Sequence, residues 1–391
     1  MTALSLRALN RALLDRQFLL ARTDGTPLDV IGRLVALQAQ EPNWPYVGLW
    51  SRIHGFAQAD LTALVEDRKV VRSALLRSTQ HLTTADDFRR LRPLVQPVLD
   101  RTAGSSYFTR NRATGHGTGL DAASLVTEGL ALLGGRTLPR RELARQLAER
   151  HPGHDGRILA GEVELRTPLV HDPATASWGS WGNRSAIAVT PAEAWLGRPV
   201  AATGPATAAP TATAAATSAA TGDGDAAKEL IRRYLAAFGP AGVKDVQAWC
   251  GLTRLGEVVA EMGAELRRHT GPGGGDLFDL ADAELPDPET PAPVRLLPAF
   301  DNVLLGHADR TRIIDEADRP RVMPGSAQVR PTFLVDGRVH GTWSLVAGTL
   351  RLTPFRPLRA TDRAALDEEA HRLLPFVGGT TVAHDDRPPT T

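Results

Sequence analysis

Helical spacing of apolar residues dominates the start of the chain. In residues 4–20, leucines recur every three or four positions with arginines between them, which predicts an amphipathic helix. Pro27, which follows a Gly-Thr turn, suits the first turn of a second helix. Because Pro42 disfavours helical geometry in the residue before it, we expect this second helix to end near Gln40.

The pattern changes from helical to β-like between residues 70 and 82. Short helices are predicted near residues 49–53 and 61–65, and the β-branched and apolar run that follows them is typical of a two-stranded wing. A capping-box pattern at residues 84–87 then predicts the start of a new helix.

This order of elements recurs along the chain. Gly25, Gly135 and Gly239 each follow a predicted helix, make a turn and precede a shorter helix, with β-like pieces near residues 187–189 and 277–280 after the last two. The glycines are separated by 135 − 25 = 110 and 239 − 135 = 104 residues, about the size of a small domain. Helix, turn, two helices and a hairpin are the order of a winged helix-turn-helix, and we predict three in tandem.

The remaining segments set the predicted domain boundaries. An Ala, Thr, Gly and Pro stretch at residues 201–227 has too little apolar bulk to pack, so we predict a flexible linker there. From residue 293 onward the pattern becomes β-like, with a hairpin turn at Asp336-Gly337 and a closing helix near residues 363–374. The predicted α+β fold therefore has winged-helix domains at 1–115, 116–200 and 228–292 and a C-terminal β-rich segment at 293–391.

Composition is that of an ordinary globular protein. The chain has 391 residues, of which 42% are hydrophobic, and a net charge of +1. Cys250 is the single cysteine, which excludes an internal disulfide and favours a reducing compartment. Because neither a signal peptide nor an apolar run of the roughly 18 residues that span a bilayer is found, we expect a cytoplasmic protein with no membrane partner.

Charge is distributed unevenly along the chain. Residues 1–110 contain 15 Arg or Lys and 10 Asp or Glu, a net charge of +5, whereas residues 276–291 contain six acidic residues and no basic one. One side of the molecule is thus basic enough to meet phosphate. Lysine occurs only at positions 69, 228 and 244, so 45 − 3 = 42 of the basic residues are arginine. This skew is typical of GC-rich coding and is also compatible with phosphate recognition.

The sequence lacks the common catalytic motifs, and a segment with two glutamines is the remaining candidate for chemistry. The sequence has no phosphate-binding loop, no His-Glu-x-x-His zinc motif and no nucleophile elbow, and its histidines show no metal-ligand spacing. The segment Gln38-Ala39-Gln40 places two neutral amides beside a predicted helix end. From spacing alone, these side chains either cap helix-end carbonyls or take part in chemistry.

An ordered set of motifs resembles the AlkZ/YcaQ family of winged-helix DNA glycosylases. These motifs are Gln38-Ala39-Gln40, Arg-Ser-Thr-Gln-His-Leu at 77–82, Trp-Leu-Gly-Arg-Pro at 195–199, Leu-Pro-Ala-Phe-Asp-Asn-Val-Leu-Leu at 297–305, His-Ala-Asp-Arg-Thr-Arg at 307–312 and Val-Asp-Gly-Arg-Val-His-Gly-Thr-Trp at 335–343. The resemblance spans roughly residues 4–376 and implies tandem winged-helix domains in a C shape around DNA. The Gln-apolar-Gln form is similar to that of glycosylases that protect an antibiotic producer from azinomycin-type adducts.

The chemistry of an amide limits what such a site can do. A glutamine has no useful proton affinity at neutral pH, so it cannot act as a general base, but its oxygen can hold a water and face developing positive charge. That is enough only when the leaving base is already cationic, as in purines alkylated at N7 or adenine alkylated at N3. On a regular helix, however, residues i and i+2 point about 200° apart, so Gln38 and Gln40 converge only if the helix loosens at Gln40.

The other candidate residues have two interpretations each. Trp44 either shelters the adduct or packs; His81, after Arg77 and Thr79 in the wing, is either structural or orients the water or contacts phosphate; Asp301, beside Asn302, is either a turn cap or polarises water. His307, Arg310 and Arg312 belong to a polar hairpin tip, which the resemblance implies probes the minor groove.

These observations predict a monofunctional DNA glycosylase that acts on bulky N7- or N3-alkylated purines, with Gln38 and Gln40 as its catalytic residues. It would act as a monomer on double-stranded DNA at the nucleoid, need no cofactor or metal, and confer self-resistance to an alkylating natural product. Because no lysine lies near the motif, strand-cleaving lyase activity is not expected. The alternatives are a non-catalytic DNA-binding or ligand-sensing regulator, and a protein that sequesters a DNA-damaging drug.

Overall fold

The computed structural model describes residues 2–105, 119–179, 187–200, 221–325 and 327–385. Helices and several small sheets alternate along the chain, which agrees with the predicted mixture of helix and strand. The helices are α1 (Leu6–Arg16), α2 (Pro27–Leu34), α3 (Trp44–Trp50), α4 (Gln58–Glu66), α5 (Ala85–Ala103), α6 (Ala122–Leu133), α7 (Arg140–Arg150), α8 (Gly156–Arg166), α9 (Pro173–Ala176), α10 (Ala192–Leu196), α11 (Thr221–Phe238), α12 (Val243–Cys250), α13 (Leu255–Met262), α14 (Asn302–Leu305), α15 (Arg319–Val322) and α16 (Ala360–Phe376).

The strands form four sheets within the described residues. They are β1 (Thr2–Ala3), β2 (Leu37–Gln38), β3 (Val70–Ala74), β4 (Gln80–Thr84), β5 (Leu138–Pro139), β6 (Leu169–His171), β7 (Ala188–Pro191), β8 (Leu266–Thr270), β9 (Asp276–Leu280), β10 (Arg295–Leu297), β11 (Thr332–Val335), β12 (Arg338–Val346), β13 (Thr349–Pro354) and β14 (Thr381–His384). Their orders are β2-β4-β3, β5-β7-β6, β1-β8-β9 and the five-stranded β10-β11-β12-β13-β14.

Local sequence signals explain several of these elements. The Thr26 hydroxyl and the Asp29 carboxylate form a capping box at the start of α2, and Pro27 occupies its first turn as predicted. Thr84 caps α5 by accepting a hydrogen bond from the backbone N–H of Asp87. The predicted turn at Asp336-Gly337 is confirmed, with φ values of 44° and 76° that suit a two-residue hairpin.

The hydrophobic core has two main parts. A large cluster of buried residues runs from Leu13 to Val377 and joins the first 103 residues to the segment after residue 227. A separate cluster lies between Leu125 and Val189 and packs α6, α7 and α8 together. The β2-β4-β3 sheet, which contains the first glutamine of the motif, therefore rests on the large core and faces the smaller unit across β3 and β6.

The predicted linker is corrected at its end. Helix α11 begins at Thr221, so residues 221–227 are helical rather than part of a linker, and its side chains Leu230 and Ile231 enter the core. The rest of the predicted linker, residues 201–220, lies outside the described residues. No helix within the described ranges is both long and apolar enough to cross a membrane.

Candidate functional site

The two glutamines do not lie on a helix, contrary to the sequence prediction. Helix α2 ends at Leu34, and Val35 takes a left-handed φ of 70°, which a β-branched residue adopts rarely. The Thr83 hydroxyl donates to the Val35 carbonyl at 2.7 Å and holds this break. The chain then enters strand β2, so the helix ends six residues earlier than expected and Pro42 is not its cause.

Because Gln38 and Gln40 do not lie on a helix, the helical geometry that would point their side chains apart does not apply. Gln38 pairs with His81 in the antiparallel ladder, and the Ala39 N–H extends the pairing by donating to the Gln80 carbonyl at 2.7 Å. Gln40 follows the strand at a bend, and its Oε1 accepts from the Gln80 backbone N–H, so both amides lie beside β4 rather than on a helix that would point them apart.

Arg77 fixes the orientation of the Gln38 amide. Its guanidinium donates to Gln38 Oε1 at 2.8 Å and also to the Trp249 carbonyl. Within the described residues, the hydrogen bonds of the Arg77 guanidinium go to an amide oxygen and a carbonyl and not to a carboxylate, and burial lowers its pKa to about 10. The site thus contains a charged guanidinium that only neutral oxygens contact in the described part of the chain.

His81 contributes a neutral imidazole on the same face of the sheet. Burial, and then the charge of Arg77, lower its pKa to about 3. Its Nδ1 lies 2.9 Å from the carbonyl of Thr79, which can only accept, so Nδ1 carries the proton. The other ring nitrogen, Nε2, is therefore a hydrogen-bond acceptor. Thr79 serves this geometry through its backbone, while its hydroxyl donates to the Leu76 carbonyl at 3.1 Å.

Gln40 is held at both its side chain and its backbone. The Gln80 backbone N–H donates to Gln40 Oε1 at 3.3 Å, and the buried Arg72 guanidinium donates to the carbonyl of Gln40 at 3.1 Å. The second lone pair of Gln40 Oε1 remains able to accept a hydrogen bond from a water.

Asp301 and Asn302 make structural contacts near the motif. Both Asp301 oxygens accept from Arg52 at 2.9 Å, and Oδ1 also caps α14 by accepting from the Val303 N–H at 3.1 Å. The carboxylate is thus engaged in a buried ion pair, which favours the cap over the water-polarising role. Asn302 donates to the Ala36 carbonyl at 3.0 Å and so anchors the residue that precedes β2.

The predicted hairpin at residues 307–312 is wrong, because that segment contains no strand. His307 is buried and contacts the Phe238 carbonyl through Nε2 at 3.0 Å, while Arg312 is buried and donates to the Pro240 carbonyl at 2.9 Å. Arg310 donates to the Leu304 carbonyl at 2.8 Å, and its charge lowers the pKa of Arg77. Only Arg310 of the three thus acts electrostatically on the site.

Trp44 begins α3, directly after the motif. Its ring packs edge-on against Trp343 with centroids 5.9 Å apart, and it is half-buried against the large core. The contact with Trp343 supports the packing interpretation. Because Trp44 follows the motif closely in the chain, its ring also lies near it.

The sequence prediction missed four residues around Gln40: Arg72, Gln80, Glu164 and His171. Arg72 stands inside the otherwise apolar run Val70–Ala74, and Glu164 lies between apolar residues of α8. A charge inside an apolar run is a signal for a buried polar network, but it does not name the partner. In the described part of the chain, no group of three or more His, Cys, Asp or Glu is arranged to hold a metal ion.

Comparisons with known proteins agree with this architecture. A family model described as DNA glycosylase AlkZ-like matches residues 31–376. The interstrand DNA cross-link repair glycosylase of Streptomyces sahachiroi is 28% identical over 376 residues, which cover 91% of this chain and 92% of that protein. The solved structure of the Streptomyces sahachiroi DNA glycosylase AlkZ has a TM-score of 0.71 and 24% identity, covering 98% of this chain and 100% of that one.

Proposed function

The chain belongs to the AlkZ-like family of DNA glycosylases, and from this premise we propose that it hydrolyses the N-glycosidic bond of bulky N7- or N3-alkylated purines in double-stranded DNA. The observation that carries the proposal is that both amides are held beside β4, Gln38 paired with the neutral His81 and Gln40 hydrogen-bonded to the Gln80 backbone. Such a site offers hydrogen-bond acceptors and dipoles, and its side chains supply no acid that could protonate a leaving base.

The reaction balances without a general acid. In the substrate the alkylated purine carries a positive charge, and when the bond from its nitrogen to C1′ breaks, the electron pair leaves with the base and neutralises it. The sugar becomes an oxocarbenium-like cation, as in glycoside hydrolysis. Water held by Gln40 Oε1 and the His81 Nε2 acceptor attacks C1′ and loses one proton to solvent. The products are the free base and an abasic site.

Arg77 has two effects in this mechanism. By donating to Gln38 Oε1 at 2.8 Å it sets the direction of that amide, so that the oxygen does not rotate. Its positive charge disfavours a nearby cation unless a counter-charge is present. A DNA phosphate beside the damaged nucleotide supplies that charge, and arginine binds phosphate by its planar fork.

The wider proposal follows the family. Three tandem winged-helix domains, with boundaries near residues 115, 200 and 292 and at the start of α11 at Thr221, would place basic side chains in a C shape around the duplex. The Streptomyces sahachiroi relative is described as a cross-link repair enzyme, which supports bulky adducts, cross-links and antibiotic self-resistance as the biological setting. We propose that the protein acts as a cytoplasmic, nucleoid-associated monomer without a cofactor.

The direct test is incubation with a duplex containing a single N7-alkylguanine. We expect free N7-alkylguanine, detected by mass spectrometry, and an abasic site without strand cleavage. An undamaged duplex and a uracil-containing duplex should release no base, because a neutral base leaves as an anion unless it is protonated and is therefore a much poorer leaving group than a cationic alkylpurine. Binding of alkylated DNA with no release from any N7- or N3-alkylpurine would contradict the proposal and favour the regulator.

The rate of base release should be nearly independent of pH. His81 and His171 have pKa values lowered to about 3 and about 4, mainly by burial, and that of Arg77 is lowered to about 10 for the same reason. Between these limits all three keep one protonation state: the imidazoles are neutral and the guanidinium is charged. We expect a flat profile of the single-turnover rate from about pH 5.5 to about pH 8.5, after subtraction of release in buffer. A tenfold change per pH unit would reveal a titrating general base or acid and contradict this mechanism.

A further inference from the structure

A closed ring of hydrogen bonds passes through Gln40 and reaches into α8 and β6. The first arm of the ring starts at the backbone. Arg72 donates through Nη2 to the Gln40 carbonyl at 3.1 Å and through Nε to the Ala39 carbonyl at 2.8 Å. Its remaining nitrogen, Nη1, contacts Nδ1 of His171 on β6.

The second arm starts at the Gln40 side chain. Gln40 Oε1 accepts from the Gln80 backbone N–H at 3.3 Å, and Gln80 Nε2 donates to Glu164 Oε1 at 2.7 Å. His171 Nε2 lies 3.2 Å from the same carboxylate oxygen and closes the ring. Glu164 is thus the point at which the main-chain arm and the side-chain arm meet.

The protonation states in the ring follow from which groups can donate. A guanidinium only donates, so His171 Nδ1 accepts from Arg72 and its Nε2–H donates to Glu164. This is a neutral imidazole, and burial followed by the charge of Arg72 lowers the pKa of His171 to about 4. Burial alone would raise the pKa of Glu164, but Arg140, His171 and Gln80 bring it well below its usual range. Arg140 Nε lies 3.0 Å from Glu164 Oε2.

We propose that Glu164 and His171 are positioning residues for Gln40, so that α8 and β6 take part in building the catalytic segment. Strand β2 ends at Gln38, and the carbonyls of the next two residues are held by Arg72. The direction of Arg72 depends on His171, and that of His171 on Glu164. This inference rests on the proposed function in one respect, namely that Gln40 contacts the reacting water.

The test is the substitution Glu164→Gln, which keeps the size of the side chain and removes its charge. An amide presents a donor where the carboxylate presents an acceptor, so one of the bonds from Gln80 and His171 or the approach of Arg140 is lost. We expect the single-turnover rate of base release to fall about 10- to 100-fold, since misplacing a catalytic group by about 1 Å costs about 100-fold. The Kd for the same alkylated duplex should be unchanged.

Glu162→Gln is the matched control. Glu162 lies on the same helix, has the same 4% exposure as Glu164, and forms its ion pair with Arg166 at 3.1 Å, outside the ring. It should cost comparable stability in urea denaturation and leave the rate of base release unchanged. An equal fall in rate for both variants would mean that any buried charge of α8 acts in this way, and would overturn the proposal.

Two further measurements separate positioning from general damage. In a Gln40→Ala background, Glu164→Gln should cause no additional fall in rate, whereas an equal fall in both backgrounds would overturn the inference. Hydrogen exchange should quicken at the amides of Ala39 and Gln80 in Glu164→Gln but not in Glu162→Gln. Unchanged exchange would overturn the inference even if the protein released no base, so its failure differs from that of the proposed function. If Glu164→Gln does not fold, His171→Asn, which keeps an acceptor for Arg72, carries the same measurements with the same expected results.

Discussion

Replacing Gln38 by alanine is expected to reduce the single-turnover rate of base release by about 100- to 1,000-fold, the usual effect of removing one preorganised dipole from a transition state. Gln38 is 8% exposed and its oxygen accepts from Arg77 at 2.8 Å. Its loss removes an oriented amide from the site and leaves the Arg77 charge closer to the developing sugar cation. Both changes act on the transition state, so the Kd for alkylated DNA should change little.

The control for this experiment is Gln17→Ala. Gln17 is also a buried glutamine; its amide donates to the Ala237 carbonyl at 2.7 Å and its oxygen accepts from Arg52 at 3.3 Å, and neither partner contacts Gln38 or Gln40. Its removal should lower the urea midpoint without changing the rate of base release per folded molecule. If Gln38→Ala releases base at the wild-type rate, the mechanism through the two amides is wrong, and the regulator hypothesis predicts this indifference.

Local signals in the sequence predicted much of the fold. Four predicted features appear where short-range physics places them: the first-turn proline Pro27, the capping residue Thr84, the hairpin turn at Asp336-Gly337 and the closing helix Ala360–Phe376. These features depend on neighbours within four residues, which a single sequence contains. The same local logic misplaced the end of α2, because Val35 is held in a left-handed conformation by the Thr83 hydroxyl, 48 residues away.

In the site too, some features depend on residues close in the sequence and others on residues far apart in the chain. The amides at 38 and 40 are visible as a motif, and the neutral state of His81 follows from its burial in a sheet that the sequence predicts only as a wing. The hydrogen-bonded pairs in the ring around Gln40 are separated by long stretches of chain: Arg72 and His171 by 99 residues, and Gln80 and Glu164 by 84. No periodicity or propensity specifies such pairs, because tertiary packing creates them.

Asp301→Asn is expected to destabilise the protein by about 3–5 kcal/mol, the usual effect of removing one partner from a buried ion pair. The side chains of Arg52 and Asp301 are 0% and 2% exposed, and their two parallel contacts are both 2.9 Å long. Asparagine still caps α14, because its amide oxygen accepts as the carboxylate did. The loss should therefore come from the uncompensated Arg52 charge, and urea denaturation followed by tryptophan fluorescence measures it.

The double variant Arg52→Met with Asp301→Asn distinguishes a stranded charge from other damage. Because methionine leaves no buried cation, it should recover a large part of the stability that Asp301→Asn loses. Asp67→Asn, which removes the partner of Lys69 at 3.7 Å on the surface, should leave stability unchanged. The rate of base release per folded molecule should stay near that of the wild type in Asp301→Asn. If Asp301→Asn instead had normal stability but released base about 100-fold more slowly, Asp301 would act on the reacting water. A carboxylate that only anchors the fold cannot slow base release without also lowering stability.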